Sequence, residues 1–522
     1  MSRYSHTFSA LAALAAGALL SSCGGGDSSS TTASNSAALT DAPVKGVCYL
    51  AQPSGLFGAT DAAGTYKFQS GDSVTFWIDT SGAGCTSTAA TSLSTTGINL
   101  GVVVPSSSVT GTTQQTFVLS LSAGPQVAEA LQALNHGSTS AMDVSGITLA
   151  NTGSVVTNIN SYISSGGATQ STPSAVGSLF QGAQTAATLG GSTITPALPI
   201  TNVSNFQTAV VNALSNTISG GGLGTAPTTI TIPAGRLLYA VTSGTYTRNA
   251  PNGFGGNTSG ATATSGATPF TDGHIVYHSG NGSPTTGIKI RPTQGSTSVN
   301  PFSAASVSTT GANITNYTGV GGVLETAEEL PFTYSVSGNV VNKTVTLKSV
   351  GNGTVGTQSD ATTIVYDDGH GAFYSGTSTK TYTAGSNSGA TDTVSYSGSN
   401  IRLTPLTLSM LAGHTLTISA PACPNGQSTF TFNASGTLST NSNCGGEIAN
   451  WAATANVPGI LLRTSPRSTG TMNDGSILYV GLNGPSVTAG ASLVFVTANN
   501  GYAQSNSANY PAWGSMQVLS VQ

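Results

Sequence analysis

Charge is what this chain has least of. Among 522 residues there are 13 Lys and Arg and 17 Asp and Glu, together 6%, where an average soluble protein has about 25%. A formal net charge of −4, with no Lys/Arg cluster, excludes an electrostatic nucleic-acid binder, which must line cations against phosphates. Disorder of the self-repelling, highly charged kind is excluded by the same scarcity. Beyond Leu20 no apolar run approaches the ~20 residues a membrane-spanning helix needs. Cysteines number five and none falls in a C-x-x-C spacing, so a structural zinc site is not expected. In place of charge there are 67 Gly and 22 Pro, and much of the remainder is Ser, Thr and Asn.

Periodicity divides the chain. From 41 to 100 it reads as a small β module. Val44–Leu50 is one expected strand, Thr65–Phe68 alternates as a second, and Ser73–Ile78 is a third. Asp61 and Asp72 stand between them among glycines and read as turn formers. Between 101 and 224 the period changes to that of helices. Val127, Ala130, Leu131 and Leu134 share one face behind Pro125. Val155, Val156, Ile159 and Ile163 repeat the spacing, as do Val176, Leu179, Phe180 and Ala183 behind Pro173. Phe206, Val210, Ala213, Leu214 and Ile218 follow Ser204, a candidate cap. From 225 onward short β runs such as Arg236–Val241 and Lys343–Leu347 alternate with Gly, Asn and Ser turns.

Two internal echoes suggest tandem units of about 100 residues. Phe332–Val340 recurs in outline as Phe430–Leu438. Asp-Gly precedes an aromatic strand at Asp272, Asp368 and Asp474, and each reads as a turn. The expected fold is therefore mainly β: a small N-terminal β module, a short helical segment, then tandem antiparallel sandwich- or barrel-like units at 225–325, 326–410 and 411–522.

The N-terminus carries a resemblance. Arg3, the apolar run Phe8–Leu20 and then Leu20-Ser21-Ser22-Cys23 resemble the signal peptide and lipobox of bacterial lipoproteins. That likeness implies removal of residues 1–22 and acylation, palmitate included, of the Cys23 sulfur. Gly24 after the cysteine is similar to the pattern of outer-membrane rather than inner-membrane lipoproteins. Residues 23–40, polar and small, have the composition of a flexible tether. Several acyl chains anchor stably where one does not, at about 0.8 kcal/mol per buried methylene. With Cys23 set aside, Cys48, Cys85, Cys423 and Cys444 allow three pairings. The sequence-local choice, Cys48–Cys85 and Cys423–Cys444, is expected, each link contributing roughly 3 kcal/mol in the chain-entropy model.

Two weaker likenesses follow. The segment from Pro43 to Ile78 resembles an Ig-like or prealbumin-like module near the start of proteobacterial surface lipoproteins. Leu411-Ala412-Gly413-His414, Trp451 and Gly459–Leu462 are similar to lipocalin-like barrels, which implies a strand at the Leu-x-Gly and a central Trp.

Chemistry is sparse. His274 and His278 sit four apart, a metal spacing only on a helix; on a strand they are ~13 Å apart. No G-x-S-x-G elbow occurs, and the Gly220–Gly224 stretch follows a helix rather than opening one, so it is no phosphate cradle. Asp367-Asp368-Gly369-His370 is the densest polar cluster, a turn former by residue type and otherwise a candidate acid centre. Tyr239, Tyr246, Tyr277, Tyr366, Tyr374, Tyr382 and Tyr396 lie near strand ends, where they either pack across strands or meet a ligand. The reading is a non-catalytic, lipid-anchored outer-membrane protein with an adhesive, binding or scaffold role. Its partners are the membrane, through the lipid, and a carbohydrate or protein ligand; no cofactor, metal or nucleic acid is expected. The alternative is a secreted-type hydrolase of polysaccharide or ester with Asp367, Asp368 and His370 at its centre.

Overall fold

The structure is a computed structural model. It describes residues 34–87, 96–105, 114–121, 123–149, 152–164, 167, 169–170, 172–219, 226–249, 266–280, 285–290, 307–308, 311–312, 331–349, 353–385, 388–403, 407–419, 427–435, 437–440, 448–453, 460–466, 473–481, 492–499 and 515–521. The fold is mainly β. Cys23, Cys423 and Cys444 lie outside the described residues.

The N-terminal body joins strands and helices around one core. Its strands are β1 (Asn35–Thr40), β2 (Val44–Lys45), β3 (Cys48–Gln52), β4 (Phe57–Ala59), β5 (Thr65–Phe68), β6 (Ser73–Asp79), β7 (Gly97–Val103) and β8 (Gln114–Phe117). A four-stranded sheet runs β4-β3-β6-β7, and a second sheet runs β5-β1-β8. The strand expected over Val44–Leu50 is broken at Gly46. That residue has φ +87°, and a Cβ there would lie 2.4 Å from the Ser145 backbone nitrogen. Asp61 is a turn former: its Oδ1 accepts from the N–H groups of Ala63 at 2.9 Å and Thr65 at 2.8 Å. Asp72, itself buried, accepts from Ser54 and Gln69.

The four periodic segments are helices: α1 (Gly124–Leu134), α2 (Thr152–Ser164), α3 (Pro173–Ala186) and α4 (Phe206–Ser219). Their apolar stripes, including Val127, Leu131, Ile159, Phe180, Phe206 and Leu214, join Tyr66, Phe76 and Leu100 of the sheets in a single hydrophobic cluster. The expected division at residue 100 is therefore corrected, because β1 pairs with β8 from the far side of it, and so is the expected tether over 23–40, because Asn35–Thr40 is that strand β1, with Ala37 and Leu39 in the core. Thr172 caps α3, its Oγ1 accepting from Ala175 N at 3.2 Å. Ser204 does not cap α4; Asn202 caps the short 3₁₀ turn ahead of it. Four two- or three-residue strands complete the body: β9 (Met142–Asp143), β10 (Ile147–Leu149), β11 (Ala187–Leu189) and β12 (Ser192–Thr193).

The disulfide Cys48–Cys85 is formed, spanning 37 residues, and Trp77 packs on it, fully buried. Replacing both cysteines by alanine is expected to lower the unfolding free energy by about 3 kcal/mol, read by urea denaturation. A loss below about 1 kcal/mol would show that the loop closure contributes little.

Next comes a closed barrel of β13 (Arg236–Asn249), β14 (Thr268–Gly280), β15 (Thr285–Ile290), β18 (Pro331–Ser337), β19 (Val340–Ser349), β20 (Gly353–Asp367), β21 (Gly371–Tyr382) and β22 (Thr391–Leu403). A small pair, β16 (Val307–Ser308) with β17 (Gly311–Ala312), lies between its third and fourth strands in the chain. β13 pairs with both β14 and β22, which closes the ring. The expected units 225–325 and 326–410 are thus one body, and the boundary at 325 is corrected. Two of the three Asp-Gly marks are corrected too: Asp272-Gly273 lies inside β14 and, further on, Asp474-Gly475 lies inside a strand. Each is held extended by its ladder on one side, Asp272-Gly273 against Thr242 and Val241 of β13 and Asp474-Gly475 against Ser465 and Thr464. Only Asp368-Gly369 is a turn.

β13 explains how barrel and body join. Leu237, Tyr239 and Val241 point outward into the core of the body. Leu238 and Ala240, between them, point into the barrel. Both faces are covered, so the strand is buried without interruption from Arg236 to Gly244, which is why it reads as a continuous apolar run.

A second closed barrel contains β23 (Thr415–Ser419), β24 (Gln427–Phe432), β25 (Thr437–Thr440), β26 (Ile448–Ala453), β27 (Ile460–Pro466), β28 (Asn473–Gly481), β29 (Ser492–Asn499) and β30 (Ser515–Val521). Leu411-Ala412-Gly413 is not a strand. Leu411 ends the short α5 (Leu408–Leu411) and Gly413, at φ +85°, turns the chain into β23. Trp451 falls on β26.

Candidate functional site

The interior of the first barrel holds several of this chain's scarce charges, among them Arg236, Arg248 and Asp392. Inward positions alternate with outward ones along each strand. Toward the Arg236 end Leu238, Val276, Phe332, Val341, Val345 and Ile364 belong to an apolar cluster. Toward the other end the lining turns polar. Tyr374 Oη is 2.8 Å from Thr242 Oγ1 and donates to Val241 O at 3.2 Å. Tyr396 Oη is 2.6 Å from Thr362 Oγ1. Burial, and then the nearby Asp360, push the Tyr396 hydroxyl well above its ordinary pKa.

These tyrosines fit because glycines face them. A Cβ on Gly376 would lie 2.8 Å from the Tyr396 ring, and one on Gly398 would lie 2.7 Å from Tyr374 Oη. Small residues opposite large ones are how a narrow barrel is filled.

At the polar end Arg248 grips Asp392. Arg248 Nε donates to Oδ1 at 2.8 Å and Nη2 to Oδ2 at 2.9 Å. Tyr382 donates to the same carboxylate at 3.2 Å, and its ring lies 5.8 Å under the guanidinium. Lys380 stands directly across the ladder from Asp392. At the opposite end are Arg236, His278 and Tyr334. Burial, reinforced by Lys343 and Arg236, pushes the His278 imidazole down to about 3, so it is neutral at physiological pH.

The residues singled out from sequence fall as follows. Asp367 and Asp368 form the hairpin turn between β20 and β21. Asp367 Oδ1 accepts from Gly369 N at 2.8 Å. Asp368 Oδ1 accepts from the N–H groups of His370 and Gly371, both at 2.9 Å. Asp367 also lies 3.5 Å from Arg236, and Asp368 Oδ2 accepts from Gln115 N at 3.3 Å. Turn, ion pair and docking contact therefore occupy these carboxylates. His274 and His278 are on strand β14, at register positions opposite Ala240 and Arg236. Tyr239 and Tyr277 are buried against the body, and Tyr374 and Tyr382 inside the barrel. Among the named tyrosines, only Tyr246 has a large exposed fraction, 36%. Among the described residues no three His, Cys, Asp or Glu could share a metal ion, and no helix is long and apolar enough to cross a membrane.

Arg248, Asp392, Arg236 and Tyr334 were not singled out from sequence. A signal existed: in a chain this poor in charge, a charge placed inside a strand among Ser and Thr demands a partner. Which partner was hidden, since Arg248 and Asp392 are 144 residues apart.

Outside, the barrel is a different surface. Thr333, Thr344, Ser359, Thr379, Thr393 and Thr247 are all exposed. They are successive ladder partners from β18 round to β13, an unbroken row of hydroxyls across six strands. A second row, Thr346, Thr357 and Thr381, runs beside it. Searched against protein families and against curated proteins, the chain matches none.

Proposed function

We propose that this is a lipid-anchored protein of the bacterial outer membrane with a non-catalytic, adhesive or binding role. Anchoring rests on Leu20-Ser21-Ser22-Cys23 and on the small, polar composition of residues 24–34, ahead of strand β1. The observation that carries the binding role is the hydroxyl row Thr333-Thr344-Ser359-Thr379-Thr393-Thr247. Neighbouring hydroxyls across a sheet are ~4.8 Å apart and alternate ones along a strand ~6.7 Å. Each donates one hydrogen bond and accepts two, so the face is a dense neutral lattice suited to a polysaccharide. Being uncharged, it holds its ligand at salt concentrations that screen charged surfaces. A disulfide in the body agrees with an oxidising compartment outside the cytosol.

Two experiments test this. In cells, Cys23→Ala is expected to move the protein from the membrane fraction to the soluble periplasmic fraction or the medium; a variant retained in the membrane overturns the anchor. For the surface, Ser359→Lys with Thr379→Lys is expected to reduce retention on immobilised polysaccharide about tenfold, with the thermal transition unchanged. Equal retention by the variant and the parent would remove the row from the binding role.

A further inference from the structure

We propose that the Arg236 end of the first barrel is a binding site for a small oxyanion, a carboxylate or phosphate group, held by Arg236, His278 and Tyr334. The three side chains come from β13, β14 and β18. Arg236 and His278 face each other in the ladder. β18 reaches His278 across Gly287, whose missing Cβ would otherwise lie 2.3 Å from the Phe332 ring. The His278 ring is consequently edge-on to Tyr334 at 5.0 Å and to Phe332 at 5.9 Å.

All three are more than nine-tenths buried: Arg236 is 8% exposed, His278 5% and Tyr334 7%. Each nevertheless keeps a polar atom without a hydrogen-bond partner: Arg236 Nε, His278 Nδ1 and Tyr334 Oη. Buried polar atoms are ordinarily paired, so three orphans on adjoining strands call for a common partner. The guanidinium N–H and the phenol O–H are donors, and the imidazole nitrogen is a donor in one tautomer. An acceptor that bears negative charge satisfies all three.

The local charge agrees. Lys343, with its ammonium 5.4 Å from the Phe332 ring, acts on His278 together with Arg236, and Arg402 acts on Arg236. The acid at this end is Asp367, 3.5 Å from Arg236 Nη2, and Nη1 donates to Thr231 O at 3.5 Å, which leaves Nε as the guanidinium nitrogen without a partner. The segment 226–235 lies against this end. Ile230 N donates to Gly338 O at 3.0 Å and Gly235 N to His278 O at 2.9 Å, while Ile230 and Ile232 pack on the barrel core. Eight-stranded barrels are wide enough to take one small ligand. Charge-assisted hydrogen bonds in such a site are strong, because little water competes for the donors.

The test is thermal unfolding and calorimetric titration of the full chain with sodium phosphate, and separately with sodium acetate, at constant ionic strength. Wild type is expected to show saturable binding and a rise in unfolding temperature with at least one of them; which one names the class. Tyr334→Phe keeps the ring and removes only an unpartnered hydroxyl. It is expected to unfold at the parental temperature or above without added anion, and to bind about tenfold more weakly. No saturable response to either anion overturns the proposal, and so does unchanged affinity in Tyr334→Phe. A crystal structure with saturating anion that shows only water on the three atoms overturns it as well.

Discussion

Asp392→Ala should destabilise the first barrel by about 3–5 kcal/mol, the range for breaking one side of a buried ion pair. Asp392 and Arg248 are 8% and 14% exposed at the side chain, so water can compensate little for the loss. The carboxylate takes both guanidinium bonds and the Tyr382 hydroxyl. Without it Arg248 loses both of these guanidinium bonds and the opposite charge they meet, with Lys380 across the ladder adding like charge. Arg248→Met alone strands the carboxylate and should cost a similar amount. The double variant Arg248→Met/Asp392→Leu should recover most of the loss, because apolar groups of similar volume often replace a buried pair at little cost. Urea unfolding followed by tyrosine fluorescence reads all three variants, and their double-mutant cycle gives the coupling. If the single and double variants lose the same stability, the pair is not coupled.

The N-terminal body should lose stability as pH rises, the reverse of the usual acid-side behaviour of carboxylates. Asp41 is 1% exposed, and burial raises it from 3.8 to about 7. Glu129, bonded by Tyr162 and Gln207, is raised by burial from 4.5 to about 7. For a raised acid the folded state holds a proton that the unfolded state has released. Its contribution is therefore complete below about pH 4, declines between pH 4 and 7, and is gone above that. Three pH units correspond to ~4 kcal/mol for a single group.

Gln132 is the side chain beside Asp41 and holds its pKa down a little against burial, but neither Asp41 oxygen nor Gln132 Oε1 has a hydrogen bond of good geometry. The proton of a neutral Asp41 is the donor that this pair lacks. Asp41→Asn supplies an N–H in its place at every pH. The variant should be more stable than the parent at pH 7.5 by a few kcal/mol and should show a flatter profile between pH 4.5 and 7.5. Equal slopes for parent and variant would mean that Asp41 is ionised in the folded body.

How much of this was legible depends on which partner a residue has. β5 could be read residue by residue, because Tyr66 and Phe68 alternate with exposed Lys67 on a strand with one buried face. The helices were equally open, since a stripe such as Phe206-Val210-Leu214-Ile218 needs only local spacing to declare itself. Failures came where the long-range partner decided the structure. Glycines inside β20, β21 and β22 suggest turns, yet Gly356, Gly376 and Gly398 are strand residues that make room for neighbouring strands and the inward Tyr396 and Tyr374. The boundary at 325 came from the repeat spacing. The strand that closes the barrel onto β13 is β22, more than 140 residues downstream. Of the candidate site, the hydroxyl row is present in sequence as Thr-x-Thr and Thr-x-Ser alternation. Its continuity depends on register that only strand pairing reveals. Asp367 and Asp368 were visible both as turn formers and as an acid pair, and the backbone N–H groups they accept from distinguish the two.

Intact-mass and peptide mass spectrometry of the protein isolated from its native membrane is the most direct check on the central claim. Chains that begin at Cys23, with the sulfur and amine carrying acyl mass, are the predicted result. A first residue of Met1, unacylated, would contradict it.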